Sequence, residues 1–222
     1  QAWCTDHGVS WQEQRQFGVV RRLKNRNHWQ GFYEEHMALP QEDLGVIRFW
    51  PSQPDAASCS PAHLIAPAGL THNPVRRQKG GRDVALSTLR SFLHGRSLGY
   101  RGGMSSPLTA PDACSRLSPY LAWGCISMRE VVQQTRDHLA ALPEQATRHR
   151  GGLLAFLSRL YWHCHFIQKL ESEPEIEWRN MHRGYDGLRE DDFNPVYFEA
   201  LQQGRTGWPM VDACVAMLRE TG

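Results

Sequence analysis

The sequence predicts an all-α protein. Apolar residues recur at helical spacing in two long segments, 83–95 and 153–170. No strand signal is longer than four residues, and no internal repeat is present. Ser127 and Glu130 have the spacing of a capping box, which marks the start of another helix. We therefore expect residues 76–222 to be helical throughout.

Composition restricts the class of protein. The 222 residues are 41% hydrophobic and 22% charged, which suits one large domain or two small ones. A net charge of +2 is too small to give the whole protein a positive field that would attract nucleic acid. The basic runs 21–26 and 76–79 are more typical of solvated surfaces. The six cysteines form no CxxC pair, and the sequence contains neither a signal peptide nor an apolar run of about 18 residues. These features predict a soluble cytoplasmic protein with no membrane partner.

The chain divides into three segments by composition and by apolar pattern. Residues 1–39 are expected to be helical, and the proline-rich segment 40–75 is expected to be a linker. Gly80-Gly81 opens a unit in which Asp83 caps a helix ending at Gly95, and a last helix runs from Pro209 to Leu218. Residues 171–205 are expected to be rich in loops. The chain begins with Gln and ends just after a helix, so we expect a piece of a longer protein.

The segment 153–170 combines a core stripe with an unusual polar stripe. The core stripe advances by four and three residues and comprises Leu153, Leu157, Leu160, Cys164 and Ile167. The neighbouring stripe comprises Phe156, Arg159 and His163, with Trp162 and Phe166 at its edges. Because an unpaired buried cation is costly, this stripe is expected to line a cavity or a wet groove. It is either an interfacial stripe or a platform where a flat ring stacks on Trp162.

Two further motifs concern ligands. His163-Cys164-His165 is a poor metal site, because consecutive helical residues diverge by about 100°, and we expect no metal. The segment 114–119 has the chemistry of a helix start, with Ser118 as N-cap and Pro119 at the first helical position. Its N–H groups and serine hydroxyls could bind an anion, although a purely structural cap explains the same residues. Tyr100 upstream and the Trp162 segment downstream favour a phosphate-bearing aromatic ligand.

Taken in order, the motifs resemble a known family. The series is "GGRDVALSTLRSFL", Tyr100, "CSRLSPYLAWGCISMRE", "FLSRLYWHCHF" and "GRTGWPMVDACVAML". It is similar to the flavin-binding helical domain of the cryptochrome/photolyase family over roughly residues 80–222. The opening "VSWQEQRQFGVVRRLKNRNHW" resembles the last helices of that family's N-terminal α/β antenna domain. The resemblance implies antenna-domain helices at 1–39, an inter-domain linker at 40–75, and a truncated FAD-binding domain at 76–222.

The resemblance also implies roles for individual residues. In the family, a turn matching Cys114, Ser115, Arg116, Leu117 and Ser118 wraps the FAD pyrophosphate. Tyr100 matches a tyrosine on the phosphate side, and Phe156 matches an aromatic residue near the cofactor. Trp162 matches the tryptophan that stacks on a flipped-out pyrimidine dimer, with Arg159 and His163 contacting the lesion or its phosphates. Position 114 is commonly threonine in the family, so Cys114 lacks a good hydroxyl donor.

The sequence departs from the family pattern in three places. Dimer photolyases carry Glu-x-x-Trp-Arg, whereas this chain has Arg159-x-x-Trp162-His163. A carboxylate accepts hydrogen bonds from bases, whereas a guanidinium only donates them. Asp191 stands where some members have the outermost relay tryptophan. The family's later helices, which carry ring-side residues and most relay tryptophans, have no match here, so these 222 residues alone are expected to bind flavin weakly.

The resemblance leaves three functions open. The first is a deoxyribodipyrimidine photolyase, a monomer that repairs damaged DNA with photoexcited reduced FAD and has an antenna chromophore in the domain preceding this segment. No side chain is assigned as catalytic, because the cofactor carries the chemistry. The second is a cryptochrome-type blue-light receptor that binds FAD without repair, which the altered Arg159 and His163 favour. The third is a helical scaffold without a ligand.

Overall fold

The computed structural model describes residues 2–42, 74 and 76–222, and every regular element in these residues is helical, which confirms the all-α prediction. A π-helical turn, Phe92–Arg96, joins the third and fourth helices. Short 3-10 turns occupy Pro174–Glu177, Arg183–Tyr185 and Glu190–Asp192. In chain order the described α-helices are α1 (Ala2–Asp6), α2 (Trp29–Ala38), α3 (Arg82–Ser91), α4 (Ser97–Gly103), α5 (Ala110–Ala113), α6 (Ser118–Ala122), α7 (Met128–Ala141), α8 (Thr147–Ser172), α9 (Pro195–Gln203) and α10 (Pro209–Thr221).

The described residues form two compact units. One holds those of Gln1–Leu39 and Gly81–Asp191, and the other holds those of Pro40–Gly80 and Asp192–Gly222. The predicted division at residues 39 and 75 stays a prediction, and most of the predicted linker, 43–73 and 75, lies outside the described residues. Within the second unit, α9 and α10 contain no buried residue.

Helix α8 runs through the core of the first unit. Leu153, Leu160 and Cys164 are buried as predicted, but Leu157 and Ile167 are only half-buried. The buried ridge instead includes Phe156 and Gln168 and advances by four residues from Gly152. Rows spaced by four residues are a common packing ridge of α-helices. The core stripe is therefore rotated about the helix axis from its predicted position.

Several predicted helix boundaries were wrong. Within 2–39 only α1 and α2 are helical, so much of the predicted helical segment is irregular. The helix predicted to end at Gly95 continues through the π turn into α4, and its N-cap is Gly81 rather than Asp83. Helix α9 was missed, although Asn194 caps it by accepting hydrogen bonds from the amides of Val196 and Tyr197. Helix α10 begins at Pro209, as predicted.

The predicted Ser127 cap of α7 is confirmed, and the side chain of Glu130 in the same motif links α7 to α3. Ser127 Oγ accepts a hydrogen bond from the Glu130 amide at 3.1 Å. The Glu130 carboxylate does not complete a reciprocal box, because both of its oxygens accept from the Arg82 guanidinium at 2.9 Å. Glu130 is buried. This bidentate pair joins the start of α3 to the start of α7.

The π turn coincides with a very close approach of α4 and α8. A Cβ atom placed on Gly152 would lie 1.9 Å from the Ser97 carbonyl oxygen. No side chain fits at that distance, so glycine is required where the two backbones meet. Extra residues in a π turn shift the following carbonyls relative to an α-helix. The turn and Gly152 together position α4 on α8.

An irregular segment packs along the second half of α8. The buried amide of Gln168 accepts from Val20 N at 2.7 Å and donates to Val20 O at 3.0 Å. Arg21 pairs with Glu171 at 2.8 Å and Arg26 with Glu173 at 3.6 Å. The first basic run is therefore partly neutralised by acidic residues of α8 and its C-cap. Among the described residues, no helix has both the length and the apolar character needed to cross a bilayer.

Three histidines from different elements cluster beside the π turn. The ring centroids of His94 and His138 are 4.5 Å apart, and those of His138 and His149 are 5.4 Å apart. Burial, and then the neighbouring His94 and His149, lower the pKa of His138. The ring of His149 also contacts the Leu93 carbonyl oxygen at 2.7 Å.

This cluster predicts acid sensitivity of the fold. A folded-state pKa below the ordinary 6.5 of His138 means that the unfolded chain binds more protons. The contribution of His138 to stability is thus fully present above pH 6.5 and is lost as pH falls below it. We expect the free energy of unfolding to fall less steeply in His138→Gln than in the wild type between about pH 7 and about pH 5. Urea titrations across that range measure the slopes, and identical slopes would contradict the assignment.

Candidate cofactor and substrate site

Residues 114–118, here called the elbow, lead from α5 into α6 and include Ser118, the first residue of α6. Leu117 is 1% exposed and anchors the elbow in the core, whereas Cys114, Ser115 and Arg116 are half-buried. The prediction that Ser118 is the N-cap was wrong: Leu117 is the N-cap, Ser118 begins the helix, and no side chain caps it. Because α6 has only five residues, its dipole adds little to anion binding.

The dihedral angles of the elbow's backbone resemble those of anion-binding turns. Arg116 is left-handed, with φ of 61°, and Leu117 follows with φ of −94° and ψ of −11°. Alternating left- and right-handed residues turn successive N–H groups toward one concave face, which is a nest for anions. A left-handed residue other than glycine costs about 1–3 kcal/mol, and such strain concentrates at functional sites. This conformation supports an anion cradle more strongly than the short helix does.

Cys114 contributes a neutral group to the elbow. Burial raises the pKa of its thiol, and the nearby Arg116 and Arg96 guanidinium groups only lower it in part. The thiol therefore stays protonated near neutral pH and adds no negative charge. A protonated thiol is a weak hydrogen-bond donor, so Cys114 can replace part of what a threonine would offer there.

Tyr100 lies between the elbow and α8. Its buried ring packs edge-on against Phe92 at 5.4 Å and Phe156 at 5.9 Å between centroids. Burial raises the pKa of its hydroxyl, Cys114 raises it further, and Arg159 lowers it. The ring contact with Phe156 places Tyr100 against α8, and a Cβ atom on Gly99 of the same helix would lie 3.8 Å from the Ala113 Cβ atom, next to the elbow.

The outer face of α8 presents an aromatic platform. Trp162 is 47% exposed and Phe166 is 50% exposed, with ring centroids 5.5 Å apart. Arg159 is also exposed, so the described residues do not enclose it in a cavity. His163 is half-buried and meets the ring of Phe17 edge-on at 5.1 Å, and burial lowers its pKa. Arg159 and Trp162 face solvent, while Phe17 lies against His163.

Two other predicted features of α8 are located by the structure. Phe156 is 3% exposed and packs edge-on against Phe92 at 4.6 Å, so its ring belongs to the core. The three residues of the disfavoured metal motif diverge. His163 contacts Phe17, Cys164 is buried, and His165 contacts Trp29 at 5.6 Å.

Sequence reasoning missed one residue at this site. Arg96 donates hydrogen bonds to the carbonyl oxygens of Cys114 and Ser115 in the elbow. Its position in the sequence offers no motif, because the contacts span 18 and 19 residues.

The chain is similar to proteins of one family. Residues 156–222 match the profile of the FAD binding domain of DNA photolyase. A deoxyribodipyrimidine photo-lyase of Streptomyces griseus is 31% identical over 146 residues, which are 65% of this chain and 28% of that protein. A cryptochrome DASH of Synechocystis is 28% identical over 170 residues, 73% of this chain and 32% of that protein.

Structural similarity leads to the same family. A crystal structure of a bacterial class III photolyase from Agrobacterium tumefaciens matches with a TM-score of 0.53 and 29% identity, over 64% of this chain and 28% of that one. Sequence and structure are thus both similar to the cryptochrome/photolyase family over part of the chain. Its helical fold is that of the photolyase FAD-binding domain. The chain spans roughly a third or less of the length of these relatives.

The match to the photolyase FAD-binding domain covers only part of the site. It begins at Phe156 and includes Arg159, Trp162 and His163, whereas Tyr100 and the elbow precede it. Asp191 lies in an exposed 3-10 turn.

Proposed function

We propose that the elbow, Tyr100 and the outer face of α8 form part of the FAD and substrate pocket of a light-driven DNA repair enzyme. The observation that carries this proposal is the position of Tyr100. Its ring packs against Phe156 of α8 at 5.9 Å between centroids, and its helix α4 lies against Ala113, the residue before the elbow. A bent dinucleotide needs a phosphate cradle and an aromatic-lined end within one cavity. Tyr100 connects the two parts.

The residues of the elbow fit a diphosphate. The left-handed Arg116 turns N–H groups toward one face, and the hydroxyl groups of Ser115 and Ser118 add donors. The neutral Cys114 thiol does not repel a phosphate. Arg96, which donates a hydrogen bond to Cys114 O, and Arg116 of the elbow itself supply positive charge there.

The outer face of α8 fits a flipped-out base. Reduced FAD, when bound, would act as the light-driven electron donor. Trp162 offers an exposed indole on which a damaged base can stack. Arg159 can only donate hydrogen bonds, so it suits a base carbonyl or a DNA phosphate. The lowered pKa of His163 keeps its imidazole neutral at pH 7, so it contributes no charge to the lesion.

Repair is tested with the full-length polypeptide that carries these residues. Loaded with reduced FAD, it is expected to remove cyclobutane dimers from an oligonucleotide under blue light and to leave them intact in the dark. Binding of damaged DNA should weaken steeply as salt rises. Flavin that photoreduces while the dimers persist would contradict repair, and the absence of any flavin absorbance after addition of FAD would contradict the cofactor site itself.

A cryptochrome-type receptor is the second candidate. Its support is the exchange of the family's Glu-x-x-Trp-Arg for Arg159-x-x-Trp162-His163, which removes the carboxylate that accepts hydrogen bonds from damaged bases. Photoreduction without dimer loss is the outcome that favours it. An antenna chromophore, a monomeric state and a cytoplasmic location are further predictions from the resemblance and the composition.

The 222 residues alone are proposed to bind FAD weakly. They span 28% of the photolyase structure that they match, so much of a complete pocket would come from elsewhere in a full-length protein. We expect this chain, purified by itself, to carry little flavin. A stoichiometric yellow preparation would contradict this expectation.

Truncation of Trp162 is expected to weaken binding of dimer-containing DNA to the full-length protein. Base–aromatic stacking contributes about 1–3 kcal/mol, so Trp162→Ala should raise the Kd by about 10- to 100-fold. Trp123→Ala is the matched control, because Trp123 is 86% exposed in the same unit but is not part of the platform. Fluorescence anisotropy measures both. Equal Kd values for the two variants would place the lesion elsewhere.

A further inference from the structure

The guanidinium of Arg96 lies behind the elbow and hydrogen-bonds widely. It donates to Cys114 O and, at 3.2 Å, to Ser115 O. It also donates to Thr88 O at 2.9 Å and to Ser91 Oγ at 3.1 Å. One side chain therefore fastens two consecutive peptide groups of the elbow to α3.

These contacts determine where the elbow's amides point. In a trans peptide group, the carbonyl and the following N–H point in opposite directions. With the carbonyls of Cys114 and Ser115 directed at Arg96, the N–H groups of Ser115 and Arg116 are directed away from it. The left-handed Arg116 then continues this series of donors into Leu117. Arg96 thus stabilises the donor face of the elbow from the opposite side.

The energetics of Arg96 are those of a fixed, partly desolvated cation. Burial, and then the nearby Arg116 cation, lower its pKa. Four hydrogen-bond acceptors offset that cost, because charge-assisted hydrogen bonds are stronger than neutral ones. The ring of Phe92 lies beneath it, with the Arg96 Cζ atom 5.6 Å from the ring centroid. The side chain is held on several sides and has one orientation toward the elbow.

We propose that Arg96 is a positioning residue for the diphosphate of the cofactor. It orients the elbow so that the amides of Ser115 and Arg116 face the phosphates, and it adds positive charge behind them. The proposal rests on the proposed FAD site and names the residue that organises it. Its distinguishing consequence is selectivity: loss of Arg96 weakens ligands that carry the diphosphate and leaves the flavin ring's own contacts unchanged.

The test compares two ligands in the full-length polypeptide. Arg96→Gln is expected to raise the Kd of FAD by at least about tenfold, as for loss of a charged hydrogen-bond donor. The Kd of riboflavin, which has the ring but no diphosphate, should stay within about twofold of wild type. Arg90→Gln is the control, because Arg90 is an exposed arginine of α3. The Kd of FAD for Arg96→Lys should lie between those for the wild type and for Arg96→Gln, since lysine keeps the charge but not the planar fork of hydrogen-bond donors. Flavin fluorescence quenching measures all of these affinities.

The outcomes separate this proposal from the cofactor site. If the wild type binds FAD and Arg96→Gln binds it equally well, the role of Arg96 is refuted and the site stands. If Arg96→Gln raises the Kd of FAD and of riboflavin by the same factor, Arg96 only stabilises the fold and the positioning role is refuted. Failure of the wild type to bind FAD overturns both. If Arg96→Gln does not fold, as judged by circular dichroism, the same two affinities in Arg96→Lys decide.

Discussion

Replacement of Gly152 by alanine is expected to destabilise the first unit by about 3 kcal/mol or more. The added Cβ would lie 1.9 Å from the Ser97 carbonyl oxygen and 3.0 Å from its carbon. Those are backbone atoms of α4, so no side-chain rotation relieves the clash. Separation of α4 from α8 would also displace Tyr100, which lies in the middle of the same short helix. Urea unfolding followed by circular dichroism measures the loss.

The adjacent glycine is the matched control. A Cβ on Gly151 would meet only the mobile end of Arg101, with Nη1 at 3.8 Å. Gly151→Ala should therefore stabilise α8 by up to about 1 kcal/mol, since alanine favours a helix over glycine. The two neighbouring substitutions are expected to have opposite signs. Similar stabilities for both variants would show that α4 and α8 do not approach as closely as described.

Truncation of Phe156 is expected to cost about 3–5 kcal/mol of unfolding free energy. Its ring is buried between Phe92, at 4.6 Å, and Tyr100, at 5.9 Å, so alanine would leave a cavity under the tyrosine. Phe166→Ala removes the same atoms from the same helix at a half-exposed position. It should cost less than about 1 kcal/mol. Thermal or urea unfolding compares the two, and equal losses would contradict the packing around Phe156.

The helices predicted well from the sequence are those with a strong local signal. The Ser127 cap of α7 and the start of α10 at Pro209 could be predicted from residues that are close together in the sequence. Helix α9 also had such a signal, because Asn194 and Pro195 suit an N-cap and a first helical position. The π turn had none: Gly95 suggested an end, but packing against α8 carries the helix through it. Tertiary contacts overrode local preference there.

The roles of the candidate site residues stay a prediction from the resemblance, and the structure adds their local geometry. Tyr100 packs edge-on against Phe156 of α8, with 5.9 Å between ring centroids. The left-handed conformation of Arg116 could not be predicted, since arginine has no preference for it. The contact of Phe17 with His163 joins residues far apart in the chain and depends on how the irregular segment packs on α8.

A crystal structure of the full-length polypeptide with FAD tests the central claim most directly. The FAD diphosphate is expected to accept hydrogen bonds of about 2.9 Å from amides within residues 115–118. Tyr100 and the Trp162 indole are expected to border the same cavity. Density for the diphosphate at another place, or an indole on a surface that shares no cavity with the elbow, would contradict the shared FAD and substrate pocket.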